Sequence, residues 1–173
     1  MTGEDDIMPA LGWYPLRVAD RREPTSEDFV RLEEQSGGSL PEDFRDFLAR
    51  YGQGAFKHGG WFRIREDSPW GPWGLVDRLL GFSKDPQWDL PQGPFEAAAD
   101  QIPAGTVPFA SDAGGNLLLL AVASPRPHGS VWFWDHEGRA GDARIRDGVS
   151  DHTYEVAGSL NEFLLALRAD KPF

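Results

Sequence analysis

The chain contains no cysteine among its 173 residues. That removes disulfides, thiolate metal sites and cysteine nucleophiles together, and it suits a reducing compartment. No apolar run reaches the roughly 18 residues that a membrane helix needs. The first residues, Met1-Thr2-Gly3-Glu4-Asp5-Asp6, are acidic where a signal peptide would be basic. A soluble, cytoplasmic protein is therefore expected, with no membrane partner. Cations are few: 17 Lys and Arg stand against 28 Asp and Glu, for a formal net charge of -11. The acids are spread along the whole chain, and such a surface repels nucleic acid. Taken alone, that charge is better explained by solubility, so it excludes more than it identifies.

Catalytic signatures are missing too. There is no Gly-x-Ser-x-Gly elbow, no His-Glu-x-x-His helix and no Walker sequence. Gly52-Gln53-Gly54 and Gly59-Gly60 follow a helix, whereas a phosphate-binding loop follows a strand and opens a helix. They read as helix terminator and turn. The four histidines, His58, His128, His136 and His152, are scattered. One cluster remains, Asp135-His136-Glu137 with Asp112 upstream. Successive strand side chains point to opposite faces, so His136 cannot share a site with both acids unless the chain bends. The simpler reading is that Asp112 and Asp135 accept backbone hydrogen bonds in turns, with His136 as a polar partner. No cofactor or metal is implied.

What the chain does have is a strongly apolar centre. Asn116 to Ala123 and Val131 to Trp134 lack the alternation of a half-wetted sheet, which places them in central strands covered on both faces. Gly114-Gly115-Asn116 reads as a tight turn before the first run, and Pro125 to Gly129 as an exposed hairpin loop between the two. Ahead of this centre, Thr25 to Gln35 is a helix capped by Thr25 with Asp28 three residues on, ended by Gly37-Gly38. A second helix is expected from Ser39, with Ser39 and Glu42 as a capping box and Pro41 in its first turn. Its apolar face is Phe44, Phe47, Leu48 and Tyr51, and Gly52 closes it.

Gly12 to Val18 suits a short edge strand, and the acidic tip before it reads as mobile. Trp61 to Arg65 alternates as a strand, Leu75 to Phe82 makes another, and Phe95 to Gln101 is a short helix. Asp85 to Pro94 and Gly138 to Gly148 are loops. Thr153 to Ala157 is a last strand. Ser159 and Glu162 then box a final helix whose stripe is Leu160, Phe163, Leu164 and Leu167. The expected architecture is a single α+β domain. A largely antiparallel sheet packs with a helical hairpin, a middle helix and a C-terminal helix. Residues 1–24 form an extension, partly mobile, and 25–169 the domain. Between the strands, Glu66-Asp67-Ser68-Pro69-Trp70-Gly71-Pro72-Trp73-Gly74 places two tryptophans beside acids. Rigid aromatics among acids make a protein-binding surface. The reading that composition favours, however, is that both indoles fold under such a loop and complete a core.

Four stretches together resemble a known family. Gly-Gly-Ser-Leu-Pro-x-x-Phe-x-x-Phe-Leu-x-x-Tyr-Gly, from Gly37 to Gly52, is similar to the N-terminal signature of the SUKH superfamily, Smi/Knr-like group. So are Val107-Pro108-Phe109-Ala110-x-Asp112-x-Gly114-Gly115-Asn116, Gly129-x-Val131-x-x-Trp134-Asp135-His136-Glu137, and the helix from Ser159 to Leu167. The match spans Ser26 to Arg168 and is loosest from Glu66 to Phe95 and from Gly138 to Gly148. The resemblance implies a domain without catalytic activity. Bacterial members typically bind and neutralise a toxin, often a nuclease, encoded beside them. Fungal relatives are interaction modules in cell-wall and signalling control. By this resemblance Pro41, Gly52, Asp112, Gly114, Gly115, Asn116, Trp134, Asp135 and His136 are structural motif positions.

The leading expectation is an immunity protein whose acids cover a basic toxin domain. Glu66, Asp67, Trp70 and Trp73 would form its binding surface. The alternative is a regulatory interaction module with no toxin. A small metal-dependent enzyme centred on Asp112, Asp135, His136 and Glu137 comes third.

Overall fold

The computed structural model describes residues 4–138, 144–146 and 149–172. In chain order the elements are α1 (Glu4–Ala10), β1 (Trp13–Pro15), α2 (Ser26–Ser36), α3 (Glu42–Tyr51), β2 (Gly54–Phe56), β3 (Trp61–Arg63), β4 (Trp73–Leu75) and β5 (Arg78–Leu79). There follow α4 (Pro94–Ala98), β6 (Thr106–Ser111), β7 (Leu117–Ala121), β8 (Val131–Trp134), β9 (Arg144–Arg146), β10 (Val149–Asp151), β11 (Thr153–Ala157) and α5 (Leu160–Ala166). Seven strands form one antiparallel sheet in the order β1-β2-β5-β6-β7-β8-β11, while β3–β4 and β9–β10 are separate two-stranded pairs. The expected single α+β domain is what the chain forms.

The sheet is organised around β6, β7 and β8. Leu118 lies opposite Phe133 and Leu119 opposite Trp132, so both faces of these strands carry large apolar groups. Both faces are covered. On one, Phe109 meets Phe44 and Phe47 of α3 with ring centroids 5.8 and 6.1 Å away, and Phe163 of α5 at 5.7 Å. Phe62 of β3 continues the chain of rings, 6.1 Å from Phe163 and 5.9 Å from Phe133. On the other face, Trp132 donates its indole N–H to Ser130 Oγ (2.8 Å), and the Arg126 guanidinium lies 5.2 Å from its ring. Arg126 also donates to Thr153 Oγ1 (2.9 Å) and is only 7% exposed. The Pro125–Gly129 loop is thus not the fully exposed hairpin that its composition suggests. Its arginine folds inward over Trp132.

Helix α2 forms as its caps dictate. Thr25 Oγ1 accepts from the Asp28 N–H (3.3 Å), Asp28 Oδ2 accepts from the Thr25 N–H (2.7 Å), and Gly37 turns left-handed at φ 74°. The expected Ser39–Glu42 box does not form, because α3 starts later, with Pro41 as its uncapped N-cap. The chain is held against the residue that follows β7: a Cβ on Gly38 would come within 2.2 Å of the Val122 carbonyl oxygen. The Leu40 N–H instead donates to Glu33 Oε1 (2.8 Å). Helix α5 keeps its cap, with Ser159 Oγ accepting from the Glu162 N–H (3.1 Å); the Glu162 carboxylate reaches the Gly158 N–H rather than that of Ser159.

Other expectations shift in detail. The strand expected over Leu75–Phe82 is divided, since Leu75 ends β4 and only Arg78–Leu79 enters the main sheet. The segment after Gly52 is a strand as well as a terminator, because Gly54 opens β2. Glu4–Asp6, within the tip read as mobile, opens α1, whose Met8 is buried with Leu11 just beyond it; Met1–Gly3 lie outside the described residues. The loop expected over Gly138–Gly148 also falls largely outside them, although β9 and β10 pair around it.

Candidate functional site

The turn between β6 and β7 is built by Asp112. Its Oδ1 accepts from the N–H groups of Gly114 (2.9 Å) and Asn116 (2.8 Å), and its Oδ2 from Asn116 Nδ2 (2.8 Å). Gly115 takes φ 94°, a conformation that a Cβ would strain. That last bond fixes the Asn116 amide orientation, so Asn116 Oδ1 faces His136. There it accepts from the His136 N–H (3.1 Å) and lies 2.9 Å from Nδ1, which therefore carries the ring hydrogen. Asp135 Oδ1 accepts from the Glu137 N–H (3.0 Å), and Trp134 is buried in β8. The carboxylates of Asp112 and Asp135 are thus committed to turn backbone and the Asn116 amide. Among the described residues, no group of three or more His, Asp or Glu is placed to hold a metal ion.

The same turn forms one wall of an open cleft of about 550 Å³. Its floor includes Ala55 of β2, Ile64 after β3 and Phe133 of β8; its rim is Tyr14, Trp70, Trp73, Leu75, Asp77 and the Asp112–Asn116 turn. Tyr14 is 44%, Trp70 45% and Leu75 37% exposed, so three of the six exposed large apolar side chains among the described residues converge here. Among the described residues, the charged ones lining the cleft are Asp77 and Asp112, and no cation lines it. A smaller cleft, about 330 Å³, lies beside Trp88. There Arg17 and Arg78 already stack on the indole, at 4.6 and 5.0 Å.

The sequence-derived binding residues separate. Trp70 and Trp73 line the cleft, and neither is buried in the core. Glu66 belongs elsewhere. Its Oε2 accepts from the Glu155 N–H (2.6 Å), and the Arg65 N–H donates to the Glu155 carbonyl (2.8 Å). Residues 65–66 therefore cover the outer edge of β11, where an unpaired strand would otherwise be open. Asp67 is exposed on the same loop but does not line the cleft. Sequence reasoning missed Tyr14, Leu75 and Asp77. For Tyr14 and Leu75 the one signal is an apolar residue facing solvent in a short strand, which carries weight only once β1 and β4 are known; Asp77, between β4 and β5, carries none.

Fold and site together define a small α+β domain with structural turns at its motif positions and an aromatic, acid-rimmed cleft as its distinctive surface. The chain belongs to the SMI1 / KNR4 family (SUKH-1), whose sequence model matches residues 23–166. This is a family of generally non-enzymatic, immunity-type domains. It is 27% identical over 161 residues to the SPbeta prophage-derived uncharacterized protein YokK of Bacillus subtilis (strain 168), covering 86% of this chain and 76% of the relative. No solved structure gives a significant match. No helix among the described residues is long and apolar enough to cross a membrane.

Proposed function

We propose that this protein is a non-enzymatic inhibitor that acts in the cytoplasm, an immunity protein that binds a basic, nuclease-type toxin domain. The observation that carries the reading is the cleft: among the described residues its lining has exposed aromatics, two carboxylates and no cation, on a chain of net charge -11. A nuclease is basic where it grips phosphate, and an acidic inhibitor associates quickly with such a surface and complements it. Large aromatics supply the contact area that long-lived complexes use. Trp70 and Trp73 are its anchors, with Tyr14 and Leu75 beside them. The acids facing the partner are Asp77 and Asp112, with Asp67 further out, while Glu66 holds the β11 edge.

The test is growth rescue. The neighbouring open reading frame is expressed from an inducible promoter in a test bacterium, with and without this protein. Killing that this protein relieves, and that the Trp70→Ala/Trp73→Ala variant relieves poorly although folded, is the expected result. A harmless neighbour, or killing that this protein does not touch, would overturn the toxin reading in favour of a general interaction module.

A further inference from the structure

We infer that the cleft is a receptor for one arginine side chain of the partner, its guanidinium held between the indoles of Trp70 and Trp73 and the carboxylate of Asp77. This rests on the reading of the protein as a binder of a basic protein, and it names the group recognised.

The lining selects for a cation in two ways. Among the described residues its only charges are negative, so an anionic group entering the cleft meets repulsion and no donor charge. Its exposed walls are aromatic, and ring faces attract cations, tryptophan most strongly. The two carboxylates differ in what they offer. Both oxygens of Asp112 are engaged by the turn, so Asp112 contributes field. Asp77 keeps 44% of its side chain exposed, and its one ion pair, to Arg78 Nε, is long at 3.5 Å. Its backbone N–H donates to Ser111, which fixes the residue beside the cleft without using the carboxylate (2.8 Å). A planar guanidinium stacks on an indole and offers a fork of donors to a carboxylate at once. A lysine ammonium is a compact, strongly hydrated point charge and does not stack in that way. The volume of about 550 Å³ admits such a side chain with room for the partner backbone at its mouth.

The probe is the capped tripeptide acetyl-Gly-Arg-Gly-amide, against the same peptide with citrulline, which keeps the shape and loses the charge. The intact chain is labelled with nitrogen-15, and the indole N–H signals of Trp70 and Trp73 are followed during titration. Arginine should shift both signals saturably and citrulline should not. Asp77→Asn, at an exposed position whose backbone bonds are retained, should weaken arginine binding about two- to fivefold, the scale of one exposed charge contact. Equal shifts with citrulline, no shift at these indoles, or an Asp77→Asn protein that binds as well as wild type would each overturn the assignment. Growth rescue separates its failure from that of the inhibitor reading. Rescue by a protein whose indoles ignore the peptide removes the receptor and leaves the inhibitor; peptide binding without rescue does the reverse.

Discussion

Arg22 joins three separate parts of the fold, and its loss should be costly. Its guanidinium bridges two carboxylates, donating to Asp28 through both terminal nitrogens (2.6 and 2.8 Å) and to Asp89 Oδ1 (2.8 Å). Its Nε donates to the Ser83 carbonyl (3.1 Å), and the group lies 5.4 Å from the Phe82 ring. One side chain thus ties the segment before α2 to the first turn of that helix and to the loop after β5. Asp89 has 0% side-chain exposure and Asp28 13%. Arg22→Met keeps the packing on Phe82 and strands both acids. Removing one partner of a buried pair typically costs about 3–5 kcal/mol. Two features place this case at or just below the bottom of that range. Asp89 still accepts from the Ser83 N–H (2.9 Å) and Gln92 Nε2 (2.7 Å), and Asp28 keeps the Thr25 N–H. We expect about 2–3 kcal/mol, since a stranded charge retaining hydrogen bonds loses less than a bare one.

Urea denaturation measures it. With a slope of about 2 kcal/mol/M, the midpoint should fall by roughly 1–1.5 M with the slope unchanged. Arg17→Met is the control, since Arg17 pairs with Asp85 at 3.3 Å across exposed surface and should cost about 0–1 kcal/mol. Asp89→Asn added to Arg22→Met should recover part of the loss, because the penalty is an unpaired charge. A midpoint shift under about 0.3 M for Arg22→Met, or no difference from Arg17→Met, would refute the argument.

Three further outcomes are expected. The hydrogen bond from Arg22 holds the Asp28 carboxyl below its ordinary range, so its contribution is complete above the unfolded value of about 3.9 and is lost as pH falls through the folded one; the stability gap between wild type and Arg22→Met should therefore narrow below about pH 4. Gly52→Ala places a Cβ 2.4 Å from the Leu48 carbonyl oxygen and 2.9 Å from Gly81 Cα, both backbone, and should destabilise by about 2 kcal/mol or more on thermal melting although φ is an ordinary -57°. Asn116→Ala removes the link between Asp112 and His136 at a position 1% exposed and should cost about 1–3 kcal/mol in the same melt.

Much of the scaffold is readable from the chain because its signals are local. The Thr25–Asp28 box, the Phe44/Phe47/Leu48/Tyr51 stripe and the unbroken apolar runs of β7 and β8 need no partner to be recognised. What stayed hidden depends on distant contacts. Gly54 looks like loop, yet it is small because a Cβ there would meet Trp13 Nε1 at 2.1 Å, and that approach is what lets β1 pair with β2. Glu66 looks like a surface acid until β11 arrives with an unpaired N–H. Ser39 looks like a cap until Val122 holds Gly38. The cleft is the extreme case, since Tyr14, Trp70 and Asp112 are separated along the chain and meet only across strands.

The division within the cleft follows from how it is assembled. Its floor and one wall come from what also builds the fold: Ala55 in β2, Phe133 in β8 and the Asp112–Asn116 turn. Those groups are fixed by strand pairing and by the turn's own hydrogen bonds, so changing them alters stability before it alters recognition. The rim comes from other parts: Tyr14 lies before the matched residues 23–166, and Trp70 is on the Pro- and Gly-rich segment joining β3 to β4, which Trp73 and Leu75 extend into β4. Gly71 and the serine turn at Ser68, whose Oγ meets the Gly71 carbonyl at 2.8 Å, shape that segment without tying the Trp70 ring to the core. Substitutions at Trp70, Leu75 or Asp77 should therefore alter the rim of the cleft at little expense to the sheet beneath. On the proposed reading, that separation would confine recognition to side chains that the core does not need.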